Sequence, residues 1–162
     1  MGKIAIAIIG REEFGIEIYR IVEILKKQKV FHLPNLPEFL SGVINLRSEI
    51  IPVIDLGKRF GFEDMKGKGR IVVIRSGREK IGLFVDDIKE IIDLEPTDIS
   101  APPSIFRGLK TEYMTGIGKK GERIIVILNL DRILSAEEQI KIEELREKEI
   151  EGEIQNATNN RV

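Results

Sequence analysis

Apolar residues in this chain come in short runs separated by polar turns. Lys3 to Ile9 reads as a strand, and Gly10-Arg11-Glu12-Glu13 as a turn. From Phe14 to Ile18 the apolar Phe14, Ile16 and Ile18 alternate with Gly15 and Glu17, the period of two that a half-buried strand shows. The spacing then changes: Ile18, Ile21, Val22 and Leu25 lie three and four apart, as on a helical face. Ile24 is apolar too, so the segment fits a helical turn, a return to strand, or one turn of helix and then a strand.

Pro34-Asn35-Leu36-Pro37 interrupts the chain, and Pro37-Glu38-Phe39-Leu40 reads as the first turn of a short helix. Gly42–Arg47 and Ile50–Ile54 form a hairpin-like pair. Asp55 is placed to cap a short helix, Leu56–Phe60, ended by Gly61. Residues 62–69 read as a polar loop. Arg70–Arg75 and Lys80–Val85 are the clearest hairpin, followed by a short element, Ile88–Ile92, capped by Asp86-Asp87. A proline-bearing loop, residues 95–104, leads to a last strand pair, Tyr113–Ile117 and Arg123–Leu130. Lys89-Glu90-Ile91-Ile92 echoes Val22-Glu23-Ile24-Leu25, as two related half-domains would. Ser135-Ala136-Glu137-Glu138 is a capping box opening a helix that extends to about Gln155. The far half of that helix has no continuous apolar stripe, so it is expected to project or fray, and residues 156–162 to be disordered. Many short strands with polar turns indicate a β-barrel or sandwich rather than a parallel α/β sheet.

Composition narrows the function classes. The 162 residues are 42% hydrophobic and 33% charged, enough for a core in one domain or two small interlocked ones. No run approaches the ~20 apolar residues of a membrane-spanning helix. The apolar run near the start stops at Ile9 before Arg11-Glu12-Glu13, so it reads as a strand and not a signal peptide. Ile6 stands where a myristoylation pattern needs Ser or Thr. With no Cys and one His, disulfides and thiolate chemistry are excluded, and no metal or cofactor is expected. Abundant Ile and dense charge of both signs lean toward a thermophilic source. Net charge is −1, with acids gathered in residues 137–162, and carries no nucleic-acid footprint.

Candidate chemistry is sparse. Asp86-Asp87 could serve acid–base work or a hard metal, but no nucleophile or further ligand stands beside them, so capping is the better reading. Lys66-Gly67-Lys68-Gly69-Arg70 lacks the Ser or Thr of a Walker loop and reads as a surface loop. His32, between Phe31 and Leu33, reads as structural. Arg47 is different. Alternation places Ile44 and Leu46 on one strand face and Val43, Asn45 and Arg47 on the other. It is either a solvated guanidinium beside a turn or a partner-binding one, suited to bidentate pairing with carboxylates.

The run Asn45-Leu46-Arg47, Pro52-Val53 and Asp55-Leu56 resembles the signature of the CheW-like family, the coupling proteins of bacterial and archaeal chemotaxis. Glu13-Phe14-Gly15-Ile16, Gly82-Leu83-Phe84-Val85-Asp86, and Gly116-Ile117 followed by Ile124–Leu130 resemble further family elements in the right order, over most of residues 3–134. Ser48 departs from the family's usual Gly, which indicates a different turn type or local strain.

The resemblance implies a mainly β fold of two intertwined five-stranded SH3-like β-barrels, with short helices and a C-terminal helix. The CheW-like domain would span 1–134, with a charged helix at 135–155. It also implies a cytoplasmic, non-enzymatic adaptor at receptor arrays on the inner face of the membrane. One surface would bind the chemoreceptor tip and another the regulatory domain of the histidine kinase CheA. Family positions matching Ile18, Ile21 and Ile24 line an apolar groove for the receptor's helical hairpin, with Val85 and Ile88 as the opposite wall. Arg47 and Asn45 would bind a partner. No phosphoacceptor, nucleotide-binding or receiver segment is expected, unlike the whole kinase or the fused CheV type. A nucleic-acid-binding barrel is the rival reading; near-neutral charge and only nine unclustered aromatics argue against it.

Overall fold

The computed structural model describes residues 2–62, 69–102 and 111–148. Among the described residues, eleven strands build two sheets. Strands β1 (Gly2–Ile9), β2 (Glu12–Glu17), β8 (Asp87–Leu94), β9 (Ile99–Ser100), β10 (Met114–Lys120) and β11 (Arg123–Leu128) form the first, in the order β8-β1-β2-β11-β10-β9. Strands β3 (Ile21–Lys26), β4 (Gly42–Leu46), β5 (Glu49–Asp55), β6 (Arg70–Ser76) and β7 (Glu79–Val85) form the second, in the order β3-β6-β7-β5-β4. Ile18–Arg20 is a single 3-10 turn between β2 and β3, which unites the two spacings seen in that segment. The mainly β expectation holds, but the sheets have six and five strands, and neither hydrogen-bond ladder closes into a ring.

Each sheet is two antiparallel hairpins joined through their second strands by a short parallel pairing. Those pairings are β2 with β11 in one sheet and β7 with β5 in the other. Each first hairpin gains an outer strand from the opposite half. The chain leaves β2 and adds β3 to β6; it leaves β7 and adds β8 to β1. The halves are thereby interlocked, since parting them would unpair an outer strand in each sheet.

The sequence echo is part of a longer repeat. Residues 3–26 align without a gap on 70–93, with Gly10/Gly77, Arg11/Arg78, Glu12/Glu79, Gly15/Gly82, Ile21/Ile88, Glu23/Glu90 and Ile24/Ile91 identical. Residues 42–56 align equally on 116–130. The interiors correspond residue for residue. Ile4, Ile6, Ile92, Ile125 and Ile127 fill the first sheet's own core. Their counterparts Ile71, Val73, Leu25, Ile51 and Val53 fill the second's. A third, larger core lies where Ala7, Phe14, Ile16, Ile54, Ile74, Ile81, Leu83 and Leu128 meet. Each fully buried Ile or Leu contributes about 1.5–3 kcal/mol relative to exposure.

Glycines at equivalent points permit the parallel pairing. A Cβ on Gly15 would lie 2.8 Å from both Ile127 Cδ1 and Ile4 Cγ2; one on Gly82 would lie 2.9 Å from Ile71 Cγ2 and 3.3 Å from Val53 Cγ2. Ile127 and Val53, like Ile4 and Ile71, are repeat counterparts, so both halves solve the same crowding with the same residue.

Helix α1 (Leu56–Arg59) starts at Asp55, whose carboxylate accepts the Lys58 N–H at 3.1 Å. The expected helix at Pro37–Leu40 is instead a turn closed by Leu40 N–H on Pro37 C=O at 3.0 Å, because only a few residues separate the proline from β4. Val43 is fully buried, contrary to its placement on an open face with Asn45 and Arg47. Phe31, hydrogen-bonded in both directions to Val43, covers it with Leu33 and Leu36. Helix α2 (Ala136–Lys148) carries the capping box: Ser135 Oγ accepts the Glu138 N–H at 3.1 Å, and Glu138 accepts the Ser135 N–H at 2.9 Å. Its start packs on the domain. Ile142 enters the large core, and Arg59 pairs in a bidentate manner with Glu138. The basic loop at 63–68, Pro103 and Ser104, the helix beyond 148 and the tail at 156–162 lie outside the described residues.

Candidate functional site

Four two-residue turns close the hairpins. Three begin with glycine at positive φ: Gly10-Arg11 (φ +67°), Gly77-Arg78 (+61°) and Gly121-Glu122 (+61°). That is the glycine-first pattern of a type II′ turn. The fourth, between Leu46 and Glu49, is Arg47-Ser48, with φ +48° and +69°. Positive φ at both positions defines a type I′ turn, which favours Asn-Gly because a side chain crowds its own backbone there. Ser48 therefore keeps the left-handed conformation that the family's Gly would adopt without strain. Arg47 sits in the turn and not in the strand, and it too is strained.

The Arg47 side chain is 70% exposed, and its guanidinium donates to both Glu23 oxygens, at 3.2 and 2.5 Å. Glu23 lies on β3, the edge of the second sheet opposite β4, so this pair draws the two edges of a curled sheet together. Hydrogen bonds from Arg47 hold the Glu23 carboxyl below its usual pKa, against the opposing effect of desolvation. Hydrogen bonds and attraction to Glu23 hold Arg47 above its own. An exposed pair of this kind adds little stability. Asn45 is exposed on the same hairpin.

The apolar candidates divide. Ile18 and Ile21 are half-buried, Ile21 against the large core. Ile24 is 39% exposed. Ile88 is half-buried against the same core as Ile21, and the repeat makes the two counterparts. Val85 is different: it is fully buried between the sheets and presents no side-chain surface to a partner, because its strand ends inside the core. Residues not singled out from sequence are Tyr19 (74% exposed), Val22 (43%) and Ile91 (54%). Ile91 is the repeat counterpart of Ile24, and the four-residue echo pairs the two, so the signal for it lies in the sequence.

Asp86 caps the β1–β2 turn, and Asp87 caps the element that follows. Asp86 is 3% exposed and accepts the N–H of Gly10, in the β1–β2 turn, at 2.7 Å. Asp87 accepts the N–H of Ile88 at 2.9 Å. His32 Nδ1 is hydrogen-bonded to Ser41 C=O at 2.8 Å, a structural contact. Among the described residues no cluster of three or more His, Cys, Asp or Glu could hold a metal ion, and no helix is long and apolar enough to cross a membrane.

Comparison with known proteins agrees with this architecture. The CheW-like domain profile matches residues 4–138. Chemotaxis protein CheW of Klebsiella aerogenes is 33% identical over 137 residues, 83% of this chain and 82% of that protein. Its counterpart in Helicobacter pylori is 35% identical over 129 residues, 78% of each. The crystal structure of the scaffolding protein TtCheW from Thermoanaerobacter tengcongensis superposes with a TM-score of 0.77 at 35% identity, covering 83% of this chain and 88% of that one. The chain belongs to the CheW-like family.

Proposed function

We propose that this protein is a chemotaxis coupling scaffold that links methyl-accepting chemoreceptors to the histidine kinase CheA and performs no chemistry of its own. It acts in the cytoplasm, at the inner face of the membrane where receptor arrays assemble. The observation that carries the residue-level reading is the Arg47-Ser48 turn. Three hairpins in the same molecule use glycine, whereas the one in the family signature holds an exposed arginine in a strained backbone. Strain retained at a surface point indicates a use for the side chain. Arg47 and Asn45 would meet the kinase's regulatory domain. Ile18, Ile21, Ile24 and Ile88, joined by Ile91, would receive the receptor's helical hairpin, with interface energy concentrated in a few apolar residues. Coupling follows if receptor states differ in their contacts with the scaffold and so bias the kinase.

Titration calorimetry with the CheA regulatory domain and with a receptor signalling fragment tests this. Saturable binding of each, and a ternary complex on mixing, supports the scaffold. Failure of the folded protein to bind either refutes it, and retention of nucleic acid at low salt would favour the rival barrel reading.

A further inference from the structure

Beside the 3-10 turn is a concavity of about 330 Å³ lined by Tyr19, Arg20, Ile21, Val22, Arg75 and Gly77. Its composition is uneven. Ile21 and Val22 supply an apolar wall, and the Tyr19 ring stands 74% exposed at its side. Arg20 is engaged, donating to Asp131 at 2.9 Å and to the Arg75 carbonyl at 3.0 Å. That contact brings one guanidinium to the backbone of another arginine. Arg75 itself is exposed, and among the described residues its guanidinium has no carboxylate partner. Across the hairpin its neighbour is Lys80, already held by Glu49 at 2.8 Å. Arg78, also exposed, sits in the adjoining turn. Arg75 and Arg78 thus place positive charge at the rim of a hollow walled in part by Ile21 and Val22, with Glu17 on Tyr19 and Asp131 on Arg20 beside it. Hydrogen bonding to Glu17 raises the pKa of the Tyr19 phenol.

We propose that this concavity seats one acidic residue of the helix that occupies the apolar groove. The carboxylate would lie on the Arg75 guanidinium, and the apolar neighbours one helical turn away on Ile21, Val22 and the Tyr19 ring. A guanidinium pairs with a carboxylate in bidentate geometry, and partial desolvation by Tyr19 and Val22 strengthens the pair over one in open water. The repeat shows that the feature belongs to this half alone. The counterparts of Tyr19 and Arg20 are Asp86 and Asp87, and the counterpart of Arg75 is Ile8. An acidic flank would therefore fix which way round the helix lies. The inference rests on the receptor reading of the groove and adds the acidic flank to it.

The test is calorimetry of the full chain with a receptor signalling fragment from the same organism, in low and high salt. Arg75→Glu is expected to weaken binding by about tenfold or more, and Arg75→Lys to keep most of it. Binding of the CheA regulatory domain should not change. Reversing the matching acid on the fragment to Lys should restore affinity to Arg75→Glu. If Arg75→Glu binds like the wild type while Ile21→Lys does not, the groove stands and the acidic seat is overturned. If Ile21→Lys also binds normally, or the wild type binds no fragment, the receptor reading falls and takes the seat with it.

Discussion

The β4–β5 and β10–β11 hairpins are the same structure built twice. Gly42 pairs with Val53 as Gly116 pairs with Ile127, and each second strand lies parallel to a glycine-bearing neighbour. Their turns differ. Gly121, at φ +61°, occupies the place that Arg47 holds at +48°. The charged partners differ as well. Arg123 of β11 bridges Glu13 at 2.6 Å and Glu90 at 3.1 Å, whereas its counterpart on β5, Glu49, accepts from Lys80. Glu90 and Glu23 are counterparts, and both end on an arginine, one from a strand and one from a turn. Ion pairing of the outer strand is thus achieved in the first half without backbone strain. The Arg47 turn is therefore not the sole way to hold that glutamate, which shifts its explanation from stability to recognition.

The comparison is broken most severely at its shared features. Gly15→Val and Gly82→Val should each cost about 2–3 kcal/mol, since both crowd a buried strand pairing; chemical denaturation would show whether the halves respond alike. A tolerated Gly82→Val beside a damaging Gly15→Val would mean that the second sheet is the more compliant. Equivalent positions with different tasks come next. Asp86→Ala leaves the Gly10 N–H without its buried acceptor and should cost about 2 kcal/mol. Tyr19→Ala, at the counterpart position, should leave the denaturation midpoint nearly unchanged. Smaller still, Ser48→Gly should gain about 1 kcal/mol by relieving positive φ, while Gly121→Ala should lose a similar amount. If Ser48→Gly gains nothing, the turn is not strained.

The finest effect concerns pH. Hydrogen bonds from Arg47 depress the folded pKa of Glu23, so the stability this pair provides is present above the unfolded carboxyl pKa and fades as pH falls through the folded value. NMR titration of the Glu23 carboxyl should show its pKa rising toward the ordinary range in Arg47→Ala. An unchanged value would mean that the pair does not persist in solution.

Period-two alternation located β2, whereas β6 and β7 are legible as apolar runs around a polar turn, residues 71–74 being buried on both faces of β6. Alternation misplaced Val43, because both faces of β4 are covered there, one by Phe31, Leu33 and Leu36 from a connection with no periodicity of its own. It set Arg47 on a strand face, because a two-residue turn leaves no compositional mark when it contains neither Gly nor Asn. Val85 was legible as apolar but not as inaccessible, since an interior position and a groove wall carry the same residue type. The strand exchange is a long-range pairing that spacing alone does not encode. Its trace is the gapless alignment of 3–26 on 70–93, of which the echo between 22–25 and 89–92 is one part.

The most direct measurement compares Arg47→Gly with the wild type in both stability and partner binding. This variant gives the second half the turn residue that the first half already uses, and it removes the guanidinium. The account predicts stability equal to or above the wild type together with a loss of affinity for the CheA regulatory domain of about tenfold or more. Unchanged affinity, or a large fall in stability, would show that Arg47 serves the hairpin and not the partner.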